Sequence, residues 1–173
     1  MRKRPFTAWA WHGVGRADAW DKIRAAAGLT IPTKHIHDSG DYGLGVYLTL
    51  DKRRAASYAV AAGMRIEGRR CYGLVKARIR LENPIYLDWR KGNVMDPTLP
   101  SSVVLHWLTV VFGDPIRGTD QERADAARRW REGLLGLGHD GVVARYFNDT
   151  EIVLYKPQRS ILQYECVLRR GSR

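Results

Sequence analysis

The chain has 173 residues, 45% of them hydrophobic, which suits one core and one domain spanning residues 1–173. Its formal net charge of +11, built on 22 arginines and seven lysines, calls for an anionic partner, because the arginine fork suits phosphate and carboxylate groups. Two cysteines, Cys71 and Cys166, are too few for a disulfide framework or a CxxC metal site. The longest apolar stretch, "VVLHWLTVVF", is shorter than the roughly 20 residues that cross a bilayer. Reduced thiols, no secretory leader, no membrane association and a cytoplasmic location are expected.

In chain order, "AWAWHG" predicts a buried first strand carrying His12 between apolar neighbours. "ADAWDKIRAAAG" follows as an amphipathic helix, with Trp20, Ile23 and Ala27 on one face and Gly28 at its end. The segment "IPTKHIHDSGDYGLG" has loop composition, and its His35, His37 and Asp38 lack the further ligands of a tetrahedral metal site, so no metal is expected. "VYLTL" predicts a short strand leading into "KRRAASYAVAAG", a helix with Asp51 as N-cap and Gly63 as its stop. "VKARIRL" alternates cleanly, placing Val75, Ala77, Ile79 and Leu81 on a core face and Lys76, Arg78 and Arg80 on a basic one.

"VVLHWLTVVF" reads as a core helix. Thr119 and Glu122 fit a capping box for "DQERADAARRWREGLLGLG", whose Ala124, Ala127, Trp130 and Leu134 line the inner face. The outer face of that helix is rich in arginine, Arg128 and Arg129 included. "GVVARYF" and "EIVLY" predict two strands joined by a hairpin turn at Asn148, Asp149 and Thr150, with Glu151 opening the second. The whole is an α+β chain with no internal repeat.

Taken singly, His12 is a core histidine, Tyr47 an ordinary strand aromatic and Glu151 a solvated strand end. Their order along the chain carries more. "WHGVGR", then "YGLGVYLTLDKRRAASYA", then "TEIVLYKPQRSI" resemble the three motifs of the poly(ADP-ribose) polymerase and diphtheria-toxin class of ADP-ribosyltransferases, with His12, Tyr47 and Glu151 as the His-Tyr-Glu set. The resemblance spans about residues 8–88 and 139–164, is closest to small single-domain enzymes of phages and mobile elements, and leaves 92–138 as a helical insertion.

The resemblance implies split antiparallel β-sheets around an NAD cleft, with helices on the flanks, and NAD+ as co-substrate. It implies that His12 bonds the adenosine-side ribose, that Gly13 offers backbone groups to the carboxamide, and that Tyr47 and Tyr58 sandwich the nicotinamide ring. Glu151 would contact the nicotinamide ribose and stabilise the positive charge that develops on it. Arg16 and Lys34 are candidates for the diphosphate. Two departures stand out: Ala55 replaces a serine that many relatives use on the carboxamide, leaving Ser57 to supply that contact, and Asp149 occupies the place where arginine-modifying relatives carry Glu or Gln.

The implied activity is mono-ADP-ribosyl transfer to a macromolecule by a toxin or host-modifying effector, with an antitoxin as a further partner. Lys76, Arg78, Arg80, Arg128 and Arg129 are the candidate acceptor-binding residues, and RNA or DNA is favoured over protein. Alternatives from other classes are an NAD glycohydrolase, an NAD-dependent RNA 2′-phosphotransferase, and a non-catalytic basic nucleic-acid-binding domain.

Overall fold

The computed structural model describes residues 4–15, 28–31, 42–67, 72–91, 98–112 and 120–170, together with Asp21, Ile23 and Ala26. In chain order it contains β1 (Phe6–Val14), β2 (Val46–Thr49), α1 (Lys52–Glu67), β3 (Tyr72–Leu81) and β4 (Ile85–Asp88), followed by a single 3-10 turn at Trp89–Lys91. Then come α2 (Ser101–Phe112), α3 (Asp120–Gly136), β5 (Gly141–Arg145), β6 (Thr150–Leu154), the one-turn α4 (Pro157–Ser160) and β7 (Ile161–Arg170). The fold is α+β, and the described part of the segment at 92–138 carries the helices α2 and α3. The helix expected over residues 17–28 and the capping residue Thr119 lie largely or wholly outside the described residues, although Ile23 is buried and Gly28 donates its N–H to the Ile23 carbonyl at 2.9 Å.

The split antiparallel sheets expected from the resemblance are instead one mixed seven-stranded sheet in the order β4-β5-β6-β2-β1-β3-β7. Its mixed character comes from β4, which runs parallel to β5 while every other neighbouring pair is antiparallel. The short connection from β3 to β4 is pinned by Asp140, whose carboxylate accepts the N–H of Glu82 at 2.7 Å and of Asn83 at 3.2 Å and so delivers β4 alongside β5. β4 and β7 go beyond the strands legible in the sequence. β7 is an edge strand with exposed Leu162, Gln163 and Glu165, held to β3 by its backbone ladder rather than by an apolar pattern.

The alternating pattern of β3 sorts as predicted, with Val75, Ala77, Ile79 and Leu81 buried beside Ala10, Leu48, Ile152 and Leu154. A second cluster packs Val103 and Trp107 of α2 and Trp130 and Leu134 of α3 onto Leu87, Val142, Ala144 and Val153 of β4, β5 and β6. α1 begins at its predicted cap, where Arg53 donates its N–H to the Asp51 carboxylate at 2.7 Å. It runs on past Gly63 to Glu67, so that glycine does not end the helix. There the helix lies against the residue that follows β1: a Cβ at Gly15 would overlap the Gly63 nitrogen and the Ala62 side chain. Among the described residues no helix is long and apolar enough to cross a membrane.

Candidate active site

β1 and β2 are neighbours in the sheet, yet their register is recorded at a single pair, Trp11↔Thr49. On either side of that seam the ladders are continuous, β1 with β3 from Phe6↔Leu81 to Val14↔Gly73 and β2 with β6 from Val46↔Leu154 to Thr49↔Glu151. Strands that touch at one point and then diverge leave a gap that side chains must line. The gap is a cleft of about 310 Å³ walled by Trp11, His12 and Gly13 of β1, Tyr47, Leu48 and Thr49 of β2, Ala55 and Tyr58 of α1, and Glu151 of β6. Five of the residues singled out in the sequence, from three distant motifs, therefore share one cleft: His12, Gly13, Tyr47, Tyr58 and Glu151.

His12 ties the diverging strands together. Its Nδ1 lies 2.6 Å from the Tyr47 carbonyl oxygen. A carbonyl only accepts, so Nδ1 carries the proton and Nε2 is left as an acceptor on the neutral ring. Burial holds the imidazole below its ordinary 6.5, against the smaller upward push of the Tyr47 bond, so the ring is neutral at pH 7. Gly13 next to it is demanded by packing as well as by any ligand, since a Cβ there would overlap the Ala55 carbonyl oxygen and come within 3.0 Å of Ala59 on α1.

Tyr47 is braced by the backbone of the Tyr42–Gly43 turn. Its hydroxyl donates to the Gly43 carbonyl at 2.7 Å and accepts the Tyr42 N–H at 3.0 Å. Tyr42 is itself locked in: Tyr155 donates to its carbonyl at 2.7 Å, Trp89 donates Nε1–H to its hydroxyl at 2.7 Å, and that hydroxyl also bonds the Tyr146 hydroxyl. Burial first, and then the Tyr146 hydroxyl, pushes the Tyr42 phenol far above its ordinary range, so it stays protonated. The left-handed backbone at Gly43, φ +82°, turns the chain from this cluster into β2.

Thr49 faces Trp11 across one seam and Glu151 across the other, so the three lie in one row over β1, β2 and β6. At about 4.8 Å per strand this sets Glu151 roughly 10 Å from Trp11, across the cleft mouth. Two residues before Glu151, Asp149 has a different fate. Its carboxylate is only 2% exposed and is clasped by the Thr49 hydroxyl at 2.6 Å, the Thr150 N–H at 2.6 Å and the Arg54 Nε at 3.3 Å. Asp149 is consumed in holding the β5–β6 turn to α1.

Arg54, Thr49 and Trp11 are site residues that sequence reasoning missed. The Arg54 guanidinium sits 5.7 Å from the Tyr58 ring and 5.8 Å from the Tyr146 ring, and its Nε–H donates to the Tyr58 hydroxyl at 3.0 Å. It thus positions one cleft tyrosine against the turn that precedes Glu151. An arginine in an arginine-rich helix carries no visible mark of such a role; only the tertiary contacts reveal it.

Other predicted residues are not brought to the cleft. Ser57 lies two residues beyond Ala55, about 200° around the helix, and its hydroxyl donates back to the Arg53 carbonyl at 3.1 Å. It therefore does not replace the serine that Ala55 lacks. Arg16, Lys34, His35, His37 and Asp38 lie outside the described residues. Lys76, Arg78 and Arg80 stand on β3, on the far side of β1 from the cleft, whereas Arg128 and Arg129 are on α3, which packs over β4, β5 and β6. The two basic groups thus stand on different elements, on either side of the β1/β2 seam in the strand order.

No protein-family model matches the chain, and no curated sequence does. Among solved structures, the chain is similar to an anti-CRISPR protein at 15% identity and a TM-score of 0.42, over 94% of this chain and 96% of that one. It is also similar to a chain of the M. tuberculosis MbcT–MbcA toxin–antitoxin complex at 13% identity and a TM-score of 0.46, over 95% and 86% of the two chains.

Proposed function

We propose that the protein is a mono-ADP-ribosyltransferase that takes ADP-ribose from NAD+ and passes it to a macromolecular acceptor. The observation that carries this reading is the convergence of His12, Tyr47 and Glu151, the His-Tyr-Glu set of the three motifs, in one cleft with Gly13 and Tyr58. The cleft residues fit the nicotinamide-ribose half of the dinucleotide: two tyrosine rings offer flat apolar faces, a neutral imidazole offers an acceptor for a ribose hydroxyl, and a carboxylate stands at the rim. Its volume of about 310 Å³ is at the small end of ligand sites.

In this reading the cleft acts chiefly by electrostatics and orientation. Tyr47, fixed by its Gly43 and Tyr42 bonds, and Tyr58, fixed by Arg54, hold the leaving ring. His12 accepts from a ribose hydroxyl through Nε2. Glu151 faces the anomeric carbon, where positive charge grows as the bond to nicotinamide breaks and nicotinamide departs with the bonding electron pair. The acceptor nucleophile then bonds that carbon, and Glu151 receives the proton it loses. Ala55 supplies no hydroxyl to the carboxamide, so hold on the leaving group rests on backbone and stacking. The toxin or effector role and an antitoxin partner follow from the resemblance alone.

The test is incubation with labelled NAD+ and separated cell protein, RNA and DNA. Label in one fraction, abolished in Glu151→Gln, supports transfer. Nicotinamide release with label in no fraction makes the protein a glycohydrolase, and removal of a 2′-phosphate from RNA makes it a phosphotransferase. A wild-type protein that neither cleaves nor binds NAD+ sinks all three.

A further inference from the structure

One face of the β1/β3 pair is covered by α1 at Gly13 and Gly15 but is polar, aromatic and open to solvent toward Trp9 and Thr7. Strand alternation and register put Trp9 opposite Arg78, Trp11 opposite Lys76 and Thr7 opposite Arg80, all on the face away from buried Ala10, Val75 and Ala77. Trp9 is 42% exposed, unusual for so large an apolar side chain in a chain with a well-formed core. The Lys76 ammonium stands between the two indoles, 4.7 Å from the Trp9 ring centre and 5.9 Å from that of Trp11. A second ammonium, Lys52 at the start of α1, lies 5.0 Å from the Trp11 ring. The acidic groups on this side are Glu165, paired with Lys76 at 3.3 Å, and Glu82, paired with Arg80 at 2.7 Å. Both pairs are solvent-exposed and yield readily to a competing anion.

We propose that this face is a docking platform for single-stranded nucleic acid, with bases stacking on Trp9 and Trp11 and phosphates lying on Lys52, Lys76 and Arg78. Stacking on aromatics beside a basic track is how single strands are held without sequence readout. A duplex offers no free base faces, and an acidic protein surface would engage the cations but leave the indoles unused. Two residues along a strand separate the two rings by about 6.7 Å, room for successive unstacked bases. The platform is continuous with the cleft, because Trp11 belongs to both. A strand lying on it would lead a nucleotide toward Glu151, making single-stranded nucleic acid the acceptor; that last step rests on the transferase reading above, whereas docking does not.

The experiment measures binding of labelled oligo-dT and oligo-rU of about 12 nucleotides, and of the matching duplex, by fluorescence anisotropy without NAD+. Single strands should bind more tightly than duplex and quench tryptophan emission. Trp9→Ala should weaken binding about tenfold or more, with recovery in Trp9→Phe, which keeps an aromatic face. Arg78→Glu should flatten the slope of log affinity against log salt by about 0.7, the share of one neutralised phosphate on a single strand. Arg129→Glu, on the far side of the cleft, should bind as wild type. Equal binding by wild type, Trp9→Ala and Arg78→Glu, or equal binding of duplex without quenching, would overturn the platform. Nicotinamide release measured on the same proteins separates the two ideas: NAD+ cleavage without platform-dependent binding removes docking alone, and platform-dependent binding without cleavage removes the transferase alone.

Discussion

Between β2 and β6 the ladder runs unbroken from Val46↔Leu154 to Thr49↔Glu151, while between β1 and β2 it is recorded only at Trp11↔Thr49. Along the closed seam alternate side chains go to opposite faces and are buried on both, as Ile152, Val153 and Leu154 are. At the open seam three consecutive residues, Trp11, His12 and Gly13, all line one cleft, which an intact ladder would forbid. The His12 imidazole occupies the gap and bonds the Tyr47 carbonyl, so a side chain does there what backbone does elsewhere. A sheet that is left unzipped at one seam, with its neighbours fully paired, gains a side-chain-lined cleft without losing its frame.

The sharpest way to break this contrast is at Glu151, the closed-seam residue that faces the open one. Glu151→Gln should lower transfer by about two to three orders of magnitude, the effect typical of removing one preorganised electrostatic interaction, with circular dichroism and NAD+ binding unchanged. Wild-type turnover in the folded variant would mean that the charge at the cleft rim does no chemistry. Next comes Gly13→Ala, which drives a methyl group into the α1 backbone. It should cost about 1–3 kcal/mol and lower the melting temperature by several degrees, whereas a side chain at Gly138, where a Cβ meets nothing within 4 Å, answers only to its φ of +83°. An unchanged melting temperature in Gly13→Ala would show that α1 is free to lift off β1.

Asp149→Asn keeps the shape of the clasp on Thr49, Thr150 and Arg54 but removes its charge. It should destabilise the protein by about 1–2 kcal/mol and raise KM for NAD+ more than it lowers kcat, because Arg54 then holds Tyr58 less firmly. A fall in kcat with KM unchanged would instead place Asp149 in the reaction. The smallest effect is on pH. His12 is held below its unfolded value by burial, so as pH falls below about 6.5 the unfolded chain takes a proton before the folded one, and stability declines by at most about 1.4 kcal/mol per pH unit. Denaturant titrations between pH 7 and pH 5 should show a shallower decline in His12→Gln than in wild type; parallel curves would mean that the ring is not kept neutral by its surroundings.

Much of the fold was legible. The strict alternation of β3, the inner face of α3 and the Asp51 cap all appear as the residue pattern dictates, since each depends on contacts within a few residues. β4 and β7 were not legible, because one is placed by the Asp140 clasp from far along the chain and the other is an edge strand with Leu162, Gln163, Glu165, Cys166 and Val167 exposed. At the site, the motifs named His12, Tyr47, Tyr58 and Glu151, and all four reached the cleft. Ser57 did not, for a reason of helical geometry that places it away from Ala55.

What the sequence determined by itself, then, is which residue types stand where along each element: an aromatic run holding one histidine, a glycine-tyrosine turn before a helix, a glutamate at the head of an apolar strand. The tertiary structure alone decided that β1 and β2 part after one pair, that Arg54 reaches between Tyr58 and Tyr146, and that Asp149 is spent on Thr49 while Glu151 faces the cleft. Local patterns report the environment a side chain needs, buried or wet. Partners separated by some 100 positions in the chain, as Thr49 and Asp149 are, meet only through strand order, and no short-range rule encodes that order.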